Sequence, residues 1–258
     1  MADAGDRSIQ TPAEPEAMTG MLASVSTLAE AQLALKAKVD ILDLKQPDQG
    51  TLGALDVKTV REIVLLVDGR IPVSATVGDL VMQPEIVTMA VQAMADTGVD
   101  YIKIGFFPGG DWTGSIASLG KLAVRGLPLI AVLFADAEPD LAIVSALARA
   151  GFTGVMLDTM DKRRGSLPSV LDREELAAFI DAAKTLRLLT GLAGSLRLQD
   201  IPGLLPLQPD YLGFRGALCR QHERTARLEP AALDQIRQAI ANHSAHRDHH
   251  AQETLRYL

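Results

Sequence analysis

The sequence predicts an α/β fold: a single (β/α)8 barrel of the TIM type, with a flexible N-terminal and a flexible C-terminal tail. Eight short apolar runs of β type alternate with helical stretches between the tails, the pattern of a parallel sheet. The rival is an open doubly wound sheet, which is weakened because no Gly-x-Gly-x-x-Gly follows the first run. At 258 residues and 48% hydrophobic composition, the chain has the size at which α/β barrels fold as one domain.

In order, the expected strands are 21–25, 39–44, 71–76, 101–104, 127–134, 153–158, 187–192 and 211–214. Helices are expected to begin near Thr27, Val57, Gln83, Thr113, Pro139, Asp172, Arg197 and Glu229. Local signals mark several boundaries. Ser26-Thr27 precedes an Ala/Leu-rich run, Asp172 has Glu175 three residues on as in a capping box, and Gly98 and Gly151 close helices. Residues 1–18 are acidic, contain proline and lack an apolar run, so they read as a disordered tail and not as a secretory signal. The barrel spans 19–243. The extension 244–258 and its approach hold His243, His246, His249 and His250. Helical spacing puts His243, His246 and His250 on one face, but no cysteine or well-placed carboxylate joins them. They read as a solvated extension of the last helix, and no metal site is expected.

Charge and cysteine usage narrow the function classes. Lys plus Arg is 25 and Asp plus Glu is 32, a formal charge of −7, which argues against a nucleic-acid binder. An anionic ligand therefore requires a local basic pocket. The single cysteine, Cys219, excludes an intrachain disulfide and a Cys-pair zinc site and fits a cytoplasmic protein. No stretch reaches the ~18 apolar residues of a membrane span. A homo-oligomer is expected, because acidic barrels associate through their helices.

A barrel places its chemistry at the C-terminal ends of the strands, where inward positions alternate with helix-facing ones. In the second strand Leu42 and Leu44 take the helix-facing side, leaving Asp43 and Lys45 inward. In the fourth, Ile102 and Ile104 face the helices and Lys103 points inward; in the sixth, Asp158 is inward, with Lys162 in the following loop. Burying lysines is costly unless they are paired or lose their protons. Neighbouring lysines depress each other's pKa, and a neutral amine is what attacks a carbonyl to form a Schiff base. The plainer alternative is two structural ion pairs, Lys45–Asp43 and Lys103–Asp158.

Small residues follow the last two strands: Gly194-Ser195 after the seventh and Arg215-Gly216 after the eighth. Barrel loops in these places often hold a phosphate, with backbone N–H groups approaching its oxygens and Ser195 and Arg215 adding donors. Tight turns at Gly194 and Gly216 are the alternative. The long Gly-rich loop 46–54 can cover the site or supply donors to a second phosphate, although ordinary turn chemistry accounts for it equally well.

DILDLKQPDQGTLGA (40–54), VSATVGD (73–79), DYIKIGF (100–106), VMLDTMDK (155–162), GLAGSL (191–196) and GFRGALC (213–219) occur in this order. The set resembles (5-formylfuran-3-yl)methyl phosphate synthases, the triose-condensing enzymes of methanofuran biosynthesis, over about residues 21–240. The resemblance implies a lyase that condenses two molecules of glyceraldehyde 3-phosphate into a formyl- and phosphomethyl-substituted furan, losing one phosphate and water. It implies that Lys45, in an Asp-x-Lys-x-Pro setting, carries the Schiff base. Lys103 would be the proton-transfer lysine, Asp43 and Asp158 the supporting carboxylates, and Lys162 a further lysine. It implies no metal or organic cofactor. The rivals are another Schiff-base sugar-phosphate aldolase and a non-catalytic phosphosugar-binding barrel.

Overall fold

The computed structural model describes residues 18–254, with side chains through Asn242. The expected tail 1–18, Met18 aside, lies outside the described residues. So do the side chains of His243, His246, His249 and His250.

Eight parallel strands close into one barrel in sequence order: β1 (Gly20–Val25), β2 (Ile41–Leu44), β3 (Val73–Thr76), β4 (Tyr101–Gly105), β5 (Leu129–Phe134), β6 (Gly154–Asp158), β7 (Leu189–Leu192) and β8 (Tyr211–Phe214). β8 pairs back onto β1 with Leu22 opposite Gly213, so no sheet edge is left open. The chain is the single (β/α)8 barrel that its strand and helix pattern predicts.

Most helices begin where their caps place them. α1 (Leu28–Lys36) starts with Thr27 accepting the Glu30 N–H, and α2 (Val57–Val67) with Asp56 accepting the Thr59 N–H. α3 (Pro84–Ala95) has its proline at the first position, and α4 (Trp112–Ala123) is capped by Asp111. α6 (Arg173–Thr185) carries the full Asp172–Glu175 capping box, and α8 (Pro230–Thr254) follows Glu229.

Two helices depart from expectation. α5 covers only Ile143–Arg149, four residues later than Pro139, because the chain first runs through a 3-10 turn at Ala135–Ala137 and Glu138 in the left-handed region. A helix beginning near Arg197 is replaced by a 3-10 turn, Leu198–Asp200, and the one-turn α7 (Ile201–Leu204). Pro202, Gly203 and Pro206 leave little room for a longer one.

Alternation sorts the strand residues into two cores. Leu42, Leu44, Ile102, Ile104, Val155 and Leu157 pack outward against the helices. Leu22, Ile130, Val132, Phe134, Met156, Ala193 and Tyr211 fill the interior, joined by Leu52 from the loop after β2. Leu52 is 0% exposed, so this loop folds over the barrel mouth and plugs part of it. Asp79 fixes it there, accepting the N–H groups of Thr51 at 2.8 Å and Leu52 at 2.7 Å. Those two donors are taken by protein and are not free for a second phosphate, and the loop takes the covering role.

Candidate active site

Ser24, Asp43, Ser74 and Lys103 occupy inward positions on four successive strands. Register sets Ser24 opposite Asp43, Asp43 opposite Ser74, and Thr76 opposite Lys103. Asp43 is 0% exposed and is the hub of this set. It accepts the hydroxyls of Ser24 (2.8 Å) and Ser74 (2.7 Å) and the Lys103 ammonium (2.9 Å). Burial pushes its carboxyl pKa up, but the charges of Lys103 and Lys45 and the hydrogen bonds outweigh that and hold it below the usual range. Ser24 lies in none of the motifs quoted above, and Ser74 lies in VSATVGD without an assigned role; inward parity is the signal that places both beside Asp43.

Asp158, 3% exposed at the end of β6, forms a second hub. It accepts Lys162 Nζ at 2.6 Å and its neighbour's N–H, from Thr159, at 2.7 Å. Lys162 sits in a 3-10 turn, Lys162–Arg164, and also donates to the Thr159 carbonyl. Burial again opposes ionisation, and the Lys162 and Lys45 charges overcome it, so the Asp158 pKa is lowered.

The ion pairs are therefore Lys103–Asp43 and Lys162–Asp158, not Lys45–Asp43 and Lys103–Asp158. Each carboxylate is claimed by a different lysine from the one the strand order suggested. Lys45 is left without a salt bridge among the described residues, at 8% exposure on the wall of the cavity. Its pKa falls from 10.5 to about 8. Burial is the main cause, and the charges of Lys103 and Lys162 add to it. Asp158 and Asp43 pull the other way without restoring the ordinary value. Mutual depression by lysines is thus the lesser part of the effect. The arrangement yields one amine that is partly neutral near physiological pH, next to a lysine kept as a carboxylate-bound donor.

Above these groups lies a cavity of about 400 Å³, opening on the β6, β7 and β8 side. Lys45, Lys103, Asp158 and Lys162 reach it from below, and Gly194–Arg197, Gly213–Ala217 and His222–Arg224 form its upper wall. No protein acceptor among the described residues takes the N–H of Ser195, Leu196, Gly216 or Ala217. Gly194 has φ +106°, and a Cβ there would stand 2.9 Å from the Thr159 nitrogen, so glycine is required for the turn and for the close approach.

Arg215 belongs to the same wall, but its guanidinium is committed. Nη1 donates to Glu30 (2.6 Å) and the Ser24 carbonyl (3.1 Å), Nη2 to Glu30 (3.2 Å) and the Ala226 carbonyl (3.2 Å), and Nε to the Arg224 carbonyl (2.7 Å). All five of a guanidinium's N–H donors are accounted for. The expectation that Arg215 hydrogen-bonds a phosphate is corrected: it ties the segment after β8 to β1 and α1. Arg224 in turn donates to the Gly50 carbonyl (2.7 Å), bracing that segment against the loop after β2.

Among the described residues, no group of three histidine, cysteine, aspartate or glutamate side chains could hold a metal ion, and no helix is long and apolar enough to cross a membrane.

A family model described as 4-HFC-P synthase matches residues 21–237. A Methanosarcina mazei protein named (5-formylfuran-3-yl)methyl phosphate synthase is 34% identical over 210 residues, covering 77% of this chain and 90% of its own. The protein of that name from Methanocaldococcus jannaschii is 34% identical over 221 residues, 79% of this chain and 92% of its own. A Methylorubrum extorquens protein given the name provisionally is 42% identical over 221 residues, 85% of this chain and 91% of its own. Among solved structures, a monomeric dihydrodipicolinate synthase variant superimposes with TM-score 0.63 at 14% identity, covering 95% of this chain and 81% of its own. Phosphoribosyl anthranilate isomerase of Thermus thermophilus gives 0.62 at 13%, covering 86% and 98%. At such identity these two show the shared barrel and nothing more.

Proposed function

The chain belongs to the 4-HFC-P synthase family, whose curated members are (5-formylfuran-3-yl)methyl phosphate synthases, and from that premise we propose that it condenses two molecules of glyceraldehyde 3-phosphate into (5-formylfuran-3-yl)methyl phosphate. Two trioses supply the six carbons of the product, and the atoms balance with loss of one phosphate and two waters. The observation that carries the reading is Lys45, a buried amine with no salt bridge and a pKa brought down to about 8, set in the cavity beside Lys103.

The amine of Lys45 adds to an aldehyde carbon, and loss of water gives the iminium, which withdraws electrons from the adjacent C–H bond. Lys103, held by Asp43, exchanges protons with the substrate. Lys162 on Asp158 is placed to supply a second proton or to meet developing negative charge. The N–H groups of Ser195 and Gly216, next to Gly194, face a phosphate in the upper wall, and Arg215 holds that wall in shape. Local cations in an otherwise acidic chain suit a doubly phosphorylated pair of substrates. The protein is proposed to act in the cytoplasm as a homo-oligomer, in the biosynthesis of a methanofuran-type one-carbon carrier.

The test is purified protein with glyceraldehyde 3-phosphate, followed by ultraviolet absorbance of a furan aldehyde and by released phosphate. One phosphate for each furan is expected. Binding without turnover would leave a phosphosugar-binding barrel, and a different carbonyl product would leave another Schiff-base aldolase.

A further inference from the structure

Arg197 lies three residues beyond Gly194 on the cavity wall. Its backbone is pinned at the start of a 3-10 turn, where Asp200 accepts the Arg197 N–H at 2.8 Å. Its side chain forms no salt bridge among the described residues, and its Nη1 is buried with no hydrogen-bond partner. A buried charged donor without an acceptor is costly, and native proteins seldom tolerate one without a use for it. The neighbouring cations are engaged: Arg215 is saturated, Lys162 is on Asp158 and Arg163 is on Asp161. Arg224 donates to the Gly50 carbonyl, so Arg197 is the guanidinium on this wall with a buried nitrogen that lacks any acceptor among the described residues.

We propose that Arg197 is the cation that anchors the phosphate of one triose, together with the unbonded N–H groups of Ser195 and Leu196, and so determines preference for phosphorylated over unphosphorylated aldehydes. This deepens the reading of the site as a triose-phosphate synthase and rests on it. The missing acceptor of Nη1 is a phosphate oxygen. A neutral aldehyde leaves that nitrogen unpaired, so such a substrate binds poorly even where Lys45 can reach its carbonyl. The planar fork of arginine also suits two phosphate oxygens at once, which an ammonium cannot match.

The experiment compares wild type, Arg197→Gln and Arg197→Lys in three measurements. The first is KM for glyceraldehyde 3-phosphate. The second is the melting-temperature rise given by inorganic phosphate. The third is borohydride trapping with glyceraldehyde 3-phosphate and with unphosphorylated glyceraldehyde at equal concentration. For Arg197→Gln we expect KM to rise about tenfold to a hundredfold and the phosphate-induced rise in melting temperature to vanish. Trapping of glyceraldehyde should stay at the wild-type level, which also shows an intact fold. Arg197→Lys should recover part of the loss. A wild-type KM and undiminished phosphate stabilisation in Arg197→Gln would overturn the assignment. Equal loss of trapping for both aldehydes would also overturn it, because Arg197 would then be acting on the fold or on Lys45. If wild type makes no furan while phosphate stabilisation still depends on Arg197, the anion site stands and the synthase reading falls.

Discussion

Replacing Lys45 with methionine should make the protein more stable while abolishing its turnover. Methionine keeps the apolar stem and removes the ammonium. Nothing in hydrogen-bond range is orphaned, because Asp43 keeps Ser24, Ser74 and Lys103, and Asp158 keeps Lys162 and the Thr159 N–H. The cost removed follows from the pKa. A fall from 10.5 to about 8 means that the folded protein disfavours the charged form. At about 1.4 kcal/mol per pH unit, this amounts to on the order of 3 kcal/mol at neutral pH. Since the folded pKa lies below the unfolded one, the unfolded chain binds more protons between pH 8 and 10.5, and stability rises with pH across that window. The penalty is full below about pH 8 and gone above 10.5. Denaturant or thermal unfolding of wild type and Lys45→Met at pH 7 and pH 10 measures it. The variant should melt roughly 6–12 °C higher at pH 7, at about 2–4 °C per kcal/mol for a domain of this size. The gain should shrink markedly at pH 10. A variant less stable than wild type at pH 7, or a gain independent of pH, would refute the argument.

Lys103→Met should behave in the opposite way, losing about 3–5 kcal/mol in the same unfolding assay, because it strips the charge partner from an Asp43 that has no exposure to water. The pH dependence of kcat/KM should show an ascending limb with an apparent pKa near 8, as Lys45 loses its proton in the free enzyme. A profile that is flat or falling between pH 7 and 9 would remove Lys45 from the nucleophile role.

Alternation along single strands was enough to place Asp43, Lys103 and Asp158 inside the barrel, since parity is a local property of each strand. Pairing was not legible, because it depends on register between strands. Lys103 stands opposite Thr76, one strand from Ser74, and from there it takes Asp43 rather than Asp158. Arg215 looked like a phosphate ligand from its place after the eighth strand. Its partner Glu30 is 185 residues away in the sequence, and no local pattern announces it. Arg197 carries the converse lesson. Its place after Gly-Ser was visible, but the lack of an acceptor at its buried nitrogen is a tertiary fact. The short α5 and α7 reflect proline, glycine and a left-handed residue overriding apolar periodicity.

The central claim is that Lys45 forms the covalent bond to substrate, and borohydride reduction with glyceraldehyde 3-phosphate followed by peptide mass mapping tests it most directly. A triose-derived mass should appear on the peptide containing Lys45, be absent from Lys45→Arg, and persist in Lys103→Ala, where proton transfer rather than carbonyl capture is lost. An adduct on Lys103 with none on Lys45 would reverse the two roles, and no adduct on either lysine would contradict the covalent mechanism.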